Sequence, residues 1–321
     1  MEYRHLGKQG VRVSEVCLGS WLTYGAAKDE AIARDCIEKA YDLGINFFDT
    51  ANVYARGATE KVVGTVLGQY PRESYVLATK VYFPMGKGAN DRGLSRKHIV
   101  EQCNASLKRL NVDYLDLYQA HRYDPSVPLS ETLIAFDHLV QQGKILYYGV
   151  SEWSAGQIAH AADLVRLAGL SPIASNQPQY SMIKRDIEAE IMPLCHREGI
   201  GIINFSPLAQ GILTGKYKPG EALPEGSRAS DPNQNTFMNK GQLDQDLLVR
   251  VQKLVPLAER EGLTMSQLAL AWCLRNEALS SVIIGATKAS QVEDNVKASG
   301  RKLSPETLSA IEDLFGSSSN D

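Results

Sequence analysis

Ile45-Asn46-Phe47-Phe48-Asp49-Thr50-Ala51-Asn52-Val53-Tyr54 is the stretch from which the rest of the chain can be read. Asn46, Phe47 and Phe48 make a short buried strand between Gly44, a helix stop, and Asp49, where the apolar run ends on an acid. Tyr54 follows on a loop, because Asn52 and the Arg56-Gly57-Ala58 turn allow no continuous helix or strand. An acid and a phenol are thus expected at one rim. In a fold that repeats strand, loop and helix, the C-terminal rim of the strands is where chemistry is done.

Working outward, the same unit recurs. Val16 to Leu18 is a strand ending at Gly19-Ser20-Trp21, followed by a helix with Ile32, Cys36, Ala40 and Leu43 on one face. After the strand at 46–48 comes a helix over Glu60 to Gln69, then a strand over Tyr75 to Thr79 that ends at Lys80. Ser95 caps a helix that buries Ile99, Cys103, Leu107 and Leu110. Tyr114 to Gln119 is the next strand, running out at His121, and Leu129, Leu133, Phe136 and Val140 mark the helix after it. Ile145 to Val150, Ala174 to Gln177, Gly201 to Phe205 and Val282 to Ile284 complete eight strands, with helices over Gln157 to Ala168 and Asp186 to Arg197 between them. A long excursion from Ser206 to Lys240 and helices over Gln245 to Arg260 and Met265 to Arg275 precede the last strand. Helices over Ser290 to Ala298 and Pro305 to Phe315 and a polar tail, Gly316 to Asp321, follow it. Each repeat takes about 30 to 40 residues, the size of a βαβ unit.

Eight such units predict an α/β fold, a (β/α)8 TIM barrel, with Tyr3 to Val13 as an N-terminal β-hairpin covering one end and extra C-terminal helices. The 321 residues then form a single barrel domain. An open doubly wound sheet would show Gly-x-Gly-x-x-Gly after the first strand, and Gly19-Ser20-Trp21 does not continue into one.

Composition narrows the function. Hydrophobic residues at 44% and charged residues at 22% suit a soluble globular chain, and a net charge of -3 carries no basic footprint for nucleic acid or anionic membrane. The N-terminus lacks the apolar run of a signal peptide and no segment is long enough to span a membrane, so a cytoplasmic protein is expected. The five cysteines are widely spaced within apolar segments without a Cys-x-x-Cys pair, which predicts reduced core residues and no metal site.

Asp49, Lys80 and His121 stand at the C-terminal ends of consecutive strands, with Tyr54 on the loop between the first two. Singly, each reads as a cap, a solvated strand end, a loop aromatic or a satisfied polar group. Four titratable groups on one barrel face are costly without paired roles. A tyrosine with a pKa of about 10 gives up a proton poorly unless a nearby cation favours the phenolate. Lys80 can supply that charge, Asp49 can anchor the ammonium, and His121 can donate a hydrogen bond to a substrate oxygen or join the proton path.

These residues carry a resemblance to the aldo-keto reductase superfamily, which runs from Tyr3 to Leu314. Its motifs are 46–54, Ala-Thr-Lys at 78–80, Ser-Leu-Lys-Arg-Leu at 106–110 with Asp-Tyr-Leu-Asp-Leu at 113–117, and Ser-Pro-Leu-Ala-Gln-Gly at 206–211. The resemblance implies that Asp49, Tyr54, Lys80 and His121 form a catalytic tetrad with Tyr54 as general acid, reducing aldehydes or ketones with NADPH. It implies cofactor contacts from Ser20, Trp21 and Asp49, from Ser151 and Gln177 to the carboxamide, and from Phe205 stacked on the nicotinamide. Ser206, Pro207, Leu208, Ala209 and Gly211 would wrap the pyrophosphate, and Lys216 and Arg228 would belong to the belt that closes over it. Gly285, Thr287, Gln291, Asp294 and Asn295 would hold the adenosine and its 2'-phosphate. Many members have Lys and Arg where this chain has Gly285 and Gln291, which weakens the case for NADP over NAD. Trp21, Tyr24, Tyr82, Phe83, Arg122 and Trp153 fall where a substrate pocket would be lined.

Within that superfamily the chain looks closest to the subgroup that includes voltage-gated potassium channel β subunits and related bacterial reductases. The stretches 92–98, 211–213 and 271–277 carry that likeness. It implies a second role, a cofactor-sensing regulatory subunit on a membrane channel. His121, where channel subunits usually have Asn, and a start at the hairpin without a long N-terminal extension point instead to an active reductase. A homo-oligomer fits the subgroup. A third reading, a phosphate-binding barrel isomerase or lyase, draws on Ser206-Pro207 and Gly285-Ala286-Thr287.

Overall fold

The computed structural model describes residues 1–21, 30–231, 235, 238 and 243–316. Strands β1 (Tyr3–His5) and β2 (Arg12–Ser14) pair antiparallel as the expected hairpin. Eight further strands follow: β3 (Val16–Gly19), β4 (Phe47–Asp49), β5 (Val76–Val81), β6 (Leu115–Ala120), β7 (Ile145–Ser151), β8 (Ile173–Gln177), β9 (Gly201–Asn204) and β10 (Leu279–Ile284). Each pairs parallel with its neighbour in sequence, and β10 closes on β3 through Val282 beside Val16. The result is the (β/α)8 barrel.

Helices α1 (Glu30–Asp42), α2 (Ala58–Leu67), α3 (Arg96–Leu110), α4 (Leu129–Gln141), α5 (Ala155–Ala168) and α6 (Ile191–Glu198) alternate with the strands. After β9 come α7 (Gln245–Gln252), α8 (Val255–Glu261) and α9 (Met265–Leu274), and after β10 come α10 (Ala289–Val296) and α11 (Pro305–Phe315). Two expected helices are each broken in two. Asp186–Glu188 is a separate 3-10 turn ahead of α6, and α7 stops at Gln252 before α8 begins. Pro193 and Pro256 explain both breaks, because a proline fits the first turn of a helix but cannot donate inside one. In α1 the buried stripe is Ala33, Cys36, Ile37 and Ala40, while Ile32 is exposed. The helix is rotated from the face expected, since Cys36 and Ala40 belong to two adjacent stripes.

The barrel interior has a dry half and a polar half. Leu6, Val13, Cys17, Phe47, Val76, Ala78, Leu117, Ala174, Ile203 and Ile283 form one buried apolar cluster. The hairpin closes that end: Lys8 N–H donates to Gly199 O at 2.9 Å, and Gly7 N–H to Ser280 Oγ at 3.2 Å. Gly7 has to be glycine there, with φ +58° and a Cβ position 2.3 Å from the Gly199 oxygen. Strand period two then carries the inward row of β5 from Val76 and Ala78 to Lys80, and that of β6 from Leu117 to Gln119. The polar half therefore lies at the C-terminal ends. All five cysteines are buried, and none of the described helices is long and apolar enough to cross a membrane.

Candidate active site

Lys80 is fully buried, and its Nζ forms an ion pair with Asp49 Oδ1 and donates to Thr50 O at 2.9 Å. A buried ion pair survives only if its other lone pairs are met. Asp49 Oδ2 accepts from Gln177 Nε2 at 3.0 Å and from Gln119 Nε2 at 3.4 Å, and Gln119 Oε1 in turn accepts from Ser175 Oγ at 3.3 Å. The Asp49 carbonyl accepts from Ser20, both N–H at 3.0 Å and Oγ at 3.1 Å. Burial works against the Lys80 ammonium, yet Asp49, helped by Tyr54, more than offsets it, so Lys80 stays charged.

Tyr54 begins a 3-10 turn, Tyr54–Gly57, in which Ala55 and Arg56 take φ of 45° and 51°. Two successive non-glycine residues at positive φ are strained and need support from their surroundings. Behind the turn lies Arg109, whose Cδ would be 2.6 Å from a Cβ at Gly57. Arg109 pairs with the buried Glu60, and Thr79, next to Lys80 in β5, donates to the other Glu60 oxygen at 2.6 Å. The turn carrying the phenol and the strand carrying the ammonium are thus tied to one carboxylate.

The Lys80 Nζ lies 5.3 Å from the centre of the Tyr54 ring. His121 meets that ring edge-on at 5.9 Å and the Phe83 ring edge-on at 4.9 Å. Desolvation raises the Tyr54 pKa above its ordinary 10, although Lys80 pulls it down. This differs from the sequence expectation that the cation would win: in the free protein the phenol is held protonated. Burial, with Lys80 and Arg122 nearby, pushes the His121 pKa well below 6.5, so the imidazole is neutral at pH 7. Its Nδ1 has no hydrogen-bond partner.

The residues expected around a dinucleotide lie on the loops after β9, β10 and β3 and on α10, with Asp49, Ser151 and Gln177 at the ends of β4, β7 and β8. Phe205 is half-buried, and Ser206, Ala209, Gln210 and Gly211 all have positive φ, while Ala209 N–H donates to Ser206 O and Gly211 N–H to Leu208 O, both at 2.9 Å. Pro207 is buried and Leu208 half-buried between them. Lys216 Nζ lies 3.1 Å from a Cβ position at Gly211 and is exposed, and the Arg228 guanidinium sits 5.8 Å from the Trp21 ring. Gly285 has open space where a Cβ would be, and Gln291 Oε1 accepts from Thr287 N–H at 2.8 Å. Ser151 Oγ donates to Gln177 O at 2.8 Å, and Asn295 is buried.

Two expected residues are already engaged within the protein. Asp294 is occupied by Thr264 Oγ1 at 2.9 Å and Gln267 Nε2 at 2.7 Å, fastening α10 to the start of α9. Trp153 is only 1% exposed and packs edge-on against Tyr123 at 4.9 Å. Tyr24 lies outside the described residues, as does the tail beyond Gly316. Gln119, Ser175 and Glu60 were not singled out from sequence. Gln119 had a signal, since it stands two residues before His121 on the same face of a strand.

A closed parallel barrel with this polar rim is the architecture of a large class of oxidoreductases, and the chain belongs to the Aldo/keto reductase family, whose family model matches residues 15–315. A probable voltage-gated potassium channel subunit beta of Arabidopsis thaliana is 43% identical, the match covering 99% of this chain and 97% of that protein. A putative voltage-gated potassium channel subunit beta of Schizosaccharomyces pombe is 45% identical over 98% of this chain and 93% of its own length. A probable subunit of the same name from Oryza sativa subsp. japonica is 42% identical over 97% and 96%.

Proposed function

We propose that this protein is an NADPH-dependent reductase that converts aldehydes or ketones to alcohols, with Tyr54 as the proton donor. The observation that carries the reading is the Tyr54 ring, with Lys80 Nζ of the buried Lys80–Asp49 pair 5.3 Å from its centre and the His121 ring edge-on to it at 5.9 Å. A reduced nicotinamide dinucleotide, held by residues on the loops after β9 and β10, would supply hydride to a carbonyl carbon. Tyr54 gives its proton to the carbonyl oxygen as the negative charge develops there. Lys80, held by Asp49 and Thr50 O, then lies beside the new phenolate and stabilises it. His121, neutral, donates an N–H to the same oxygen and fixes which face of the carbonyl is presented.

The residues present fit such a cofactor. The turn from Ser206 to Gly211, with the exposed Lys216 beside Gly211, brings a cation to where a pyrophosphate would lie, and the open space at Gly285 admits a close ligand. Because Gln291 spends its amide oxygen on Thr287, its NH₂ is left to donate to a 2'-phosphate. The selection of NADPH over NADH is read from the affinities of both by fluorescence titration. A screen of NADPH oxidation over aldehydes, ketones and quinones, with Tyr54→Phe as control, tests the whole reading. No reduction of any carbonyl by the wild-type protein would remove it.

The relatives named as potassium channel subunits favour a second reading, a regulatory subunit that senses the cofactor while bound to a membrane channel. Tight NADPH binding without turnover, together with retention on a channel's cytoplasmic domain, would select it. The reductase reading is preferred on His121.

A further inference from the structure

Arg122 is a cation beside the proposed reaction centre that pairs with no carboxylate among the described residues. It follows His121 at the end of β6, is half-buried, and donates from Nη1 to the His121 carbonyl oxygen at 2.5 Å. Its guanidinium carbon lies 5.5 Å from the centre of the Phe83 ring, the same ring that meets the His121 imidazole at 4.9 Å. A single phenyl ring thus touches both groups.

The acids nearby are already committed. Asp124 Oδ1 accepts from Ser126 N–H and Oγ, and Asp124 Oδ2 from Leu94 N–H. Asp49 is taken by Lys80, Gln119 and Gln177, and Asp91 Oδ2 by Gly88 N–H. Among the described residues Arg122 forms no ion pair, although the ion pairs elsewhere in the chain show how readily its arginines find one. A half-buried guanidinium held in place by a backbone carbonyl and an aromatic face, with donors left over, can receive an anion.

We propose that Arg122 binds an anionic group, carboxylate or phosphate, on the substrate, so that the preferred substrates are short aldehydes or ketones carrying that group. The inference rests on the carbonyl-reducing reading above. The planar fork of donors suits both anions in a bidentate fashion. Tyr82 and Phe83, packed edge-on at 5.2 Å, form an apolar wall beside it, against which a short carbon chain between carbonyl and anion can lie. The charge of Arg122 also reaches Tyr54 and His121, lowering the pKa of each, and a bound anion relieves that pull.

The test compares matched substrates: butanal with succinic semialdehyde for a carboxylate, and glyceraldehyde with glyceraldehyde 3-phosphate for a phosphate. Each pair is measured with the wild type, Arg122→Gln and Arg122→Lys, and calorimetric titration of succinate and of inorganic phosphate into the NADP-loaded proteins gives a readout independent of turnover. The expected result is a wild-type preference for the charged member of at least one pair. Arg122→Gln should lower its kcat/KM by about ten- to a hundredfold more than that of the neutral partner, mostly through KM, as loss of a charged hydrogen bond predicts. Arg122→Lys should recover part of it, and binding of the matching free anion should weaken in parallel. The pair with the larger effect identifies the anion. Equal losses on neutral and charged substrates, or no wild-type preference, overturn the proposal while leaving the reductase reading intact. If the wild type turns over no carbonyl at all, the reading fails and the inference with it.

Discussion

In the proposed reaction Tyr54 has to keep its proton at neutral pH and release it when an oxyanion forms beside it. Desolvation keeps it and Lys80 eases its release, and the two act on the same hydroxyl. Tyr54→Phe should therefore retain dinucleotide affinity and lose turnover by two decades or more, since one well-placed donor to an oxyanion is worth roughly 3 kcal/mol. Rates within tenfold of wild type would assign the proton to another group. Because the Tyr54 pKa lies above its ordinary 10, the reduction rate should be flat from neutral to mildly alkaline pH and fall only beyond that value. A pH-rate profile breaking near 7 would contradict this. His121 adds a stability effect of defined sign. Its folded pKa is depressed below 6.5, so the stabilisation is complete above that pH and is lost as pH falls, when the unfolded chain takes up the proton first. His98 is depressed in the same direction by burial. Urea melts at pH 7.5 and 5.5 should show His121→Asn losing less stability on acidification than wild type. That Asp49, Tyr54, Lys80 and His121 gather at one rim was legible because each ends a recognisable strand or follows one. The direction of the Tyr54 shift was not, because desolvation depends on what surrounds a side chain in three dimensions.

At the level of elements, the positions of phenol and ammonium are set by a network facing away from the barrel interior. Glu60 in α2 is buried and receives Thr79 from β5 and Arg109 from α3. Removing the charge of one partner in such a network typically costs about 3 kcal/mol, because the other is left buried and alone. Glu60→Gln is expected to lower stability by that order in denaturant unfolding, and to lower kcat through the strained turn at Ala55 and Arg56. An unaltered unfolding midpoint would place Glu60 outside the support of the turn. This network could not be read from sequence, since its three members come from separate elements with no shared spacing. The broken helices at Pro193 and Pro256 were legible in principle, as the proline rule sufficed. The face of α1 was harder, because Ile32, Ala33, Cys36 and Ile37 make two adjacent apolar stripes and only the neighbours decide between them.

For the molecule as a whole, the strand count and the closed barrel followed from the repeat of apolar runs and helical stripes, and the hairpin from its glycine-bounded turn. How tightly the hairpin is fastened did not. Arg4 donates to the carbonyls of Leu274, Asn276 and Leu279 and pairs with Glu15, which also accepts from Ser299 and from Gly300 N–H. Arg4→Ala leaves several of these acceptors unmatched and should destabilise the protein by about 2 kcal/mol, measured by thermal or urea unfolding, while KM changes little. A large change in KM would mean that the closed end and the rim are coupled.

The seam at which β10 joins β3 gives the chain an order of events. Val16 finds its partner only when Val282 has been made, so on a ribosome β3 waits with one edge open until β10 emerges. Nascent chains stopped short of residue 279 should remain open to protease, and the last few dozen residues should convert them to a resistant state in a single step.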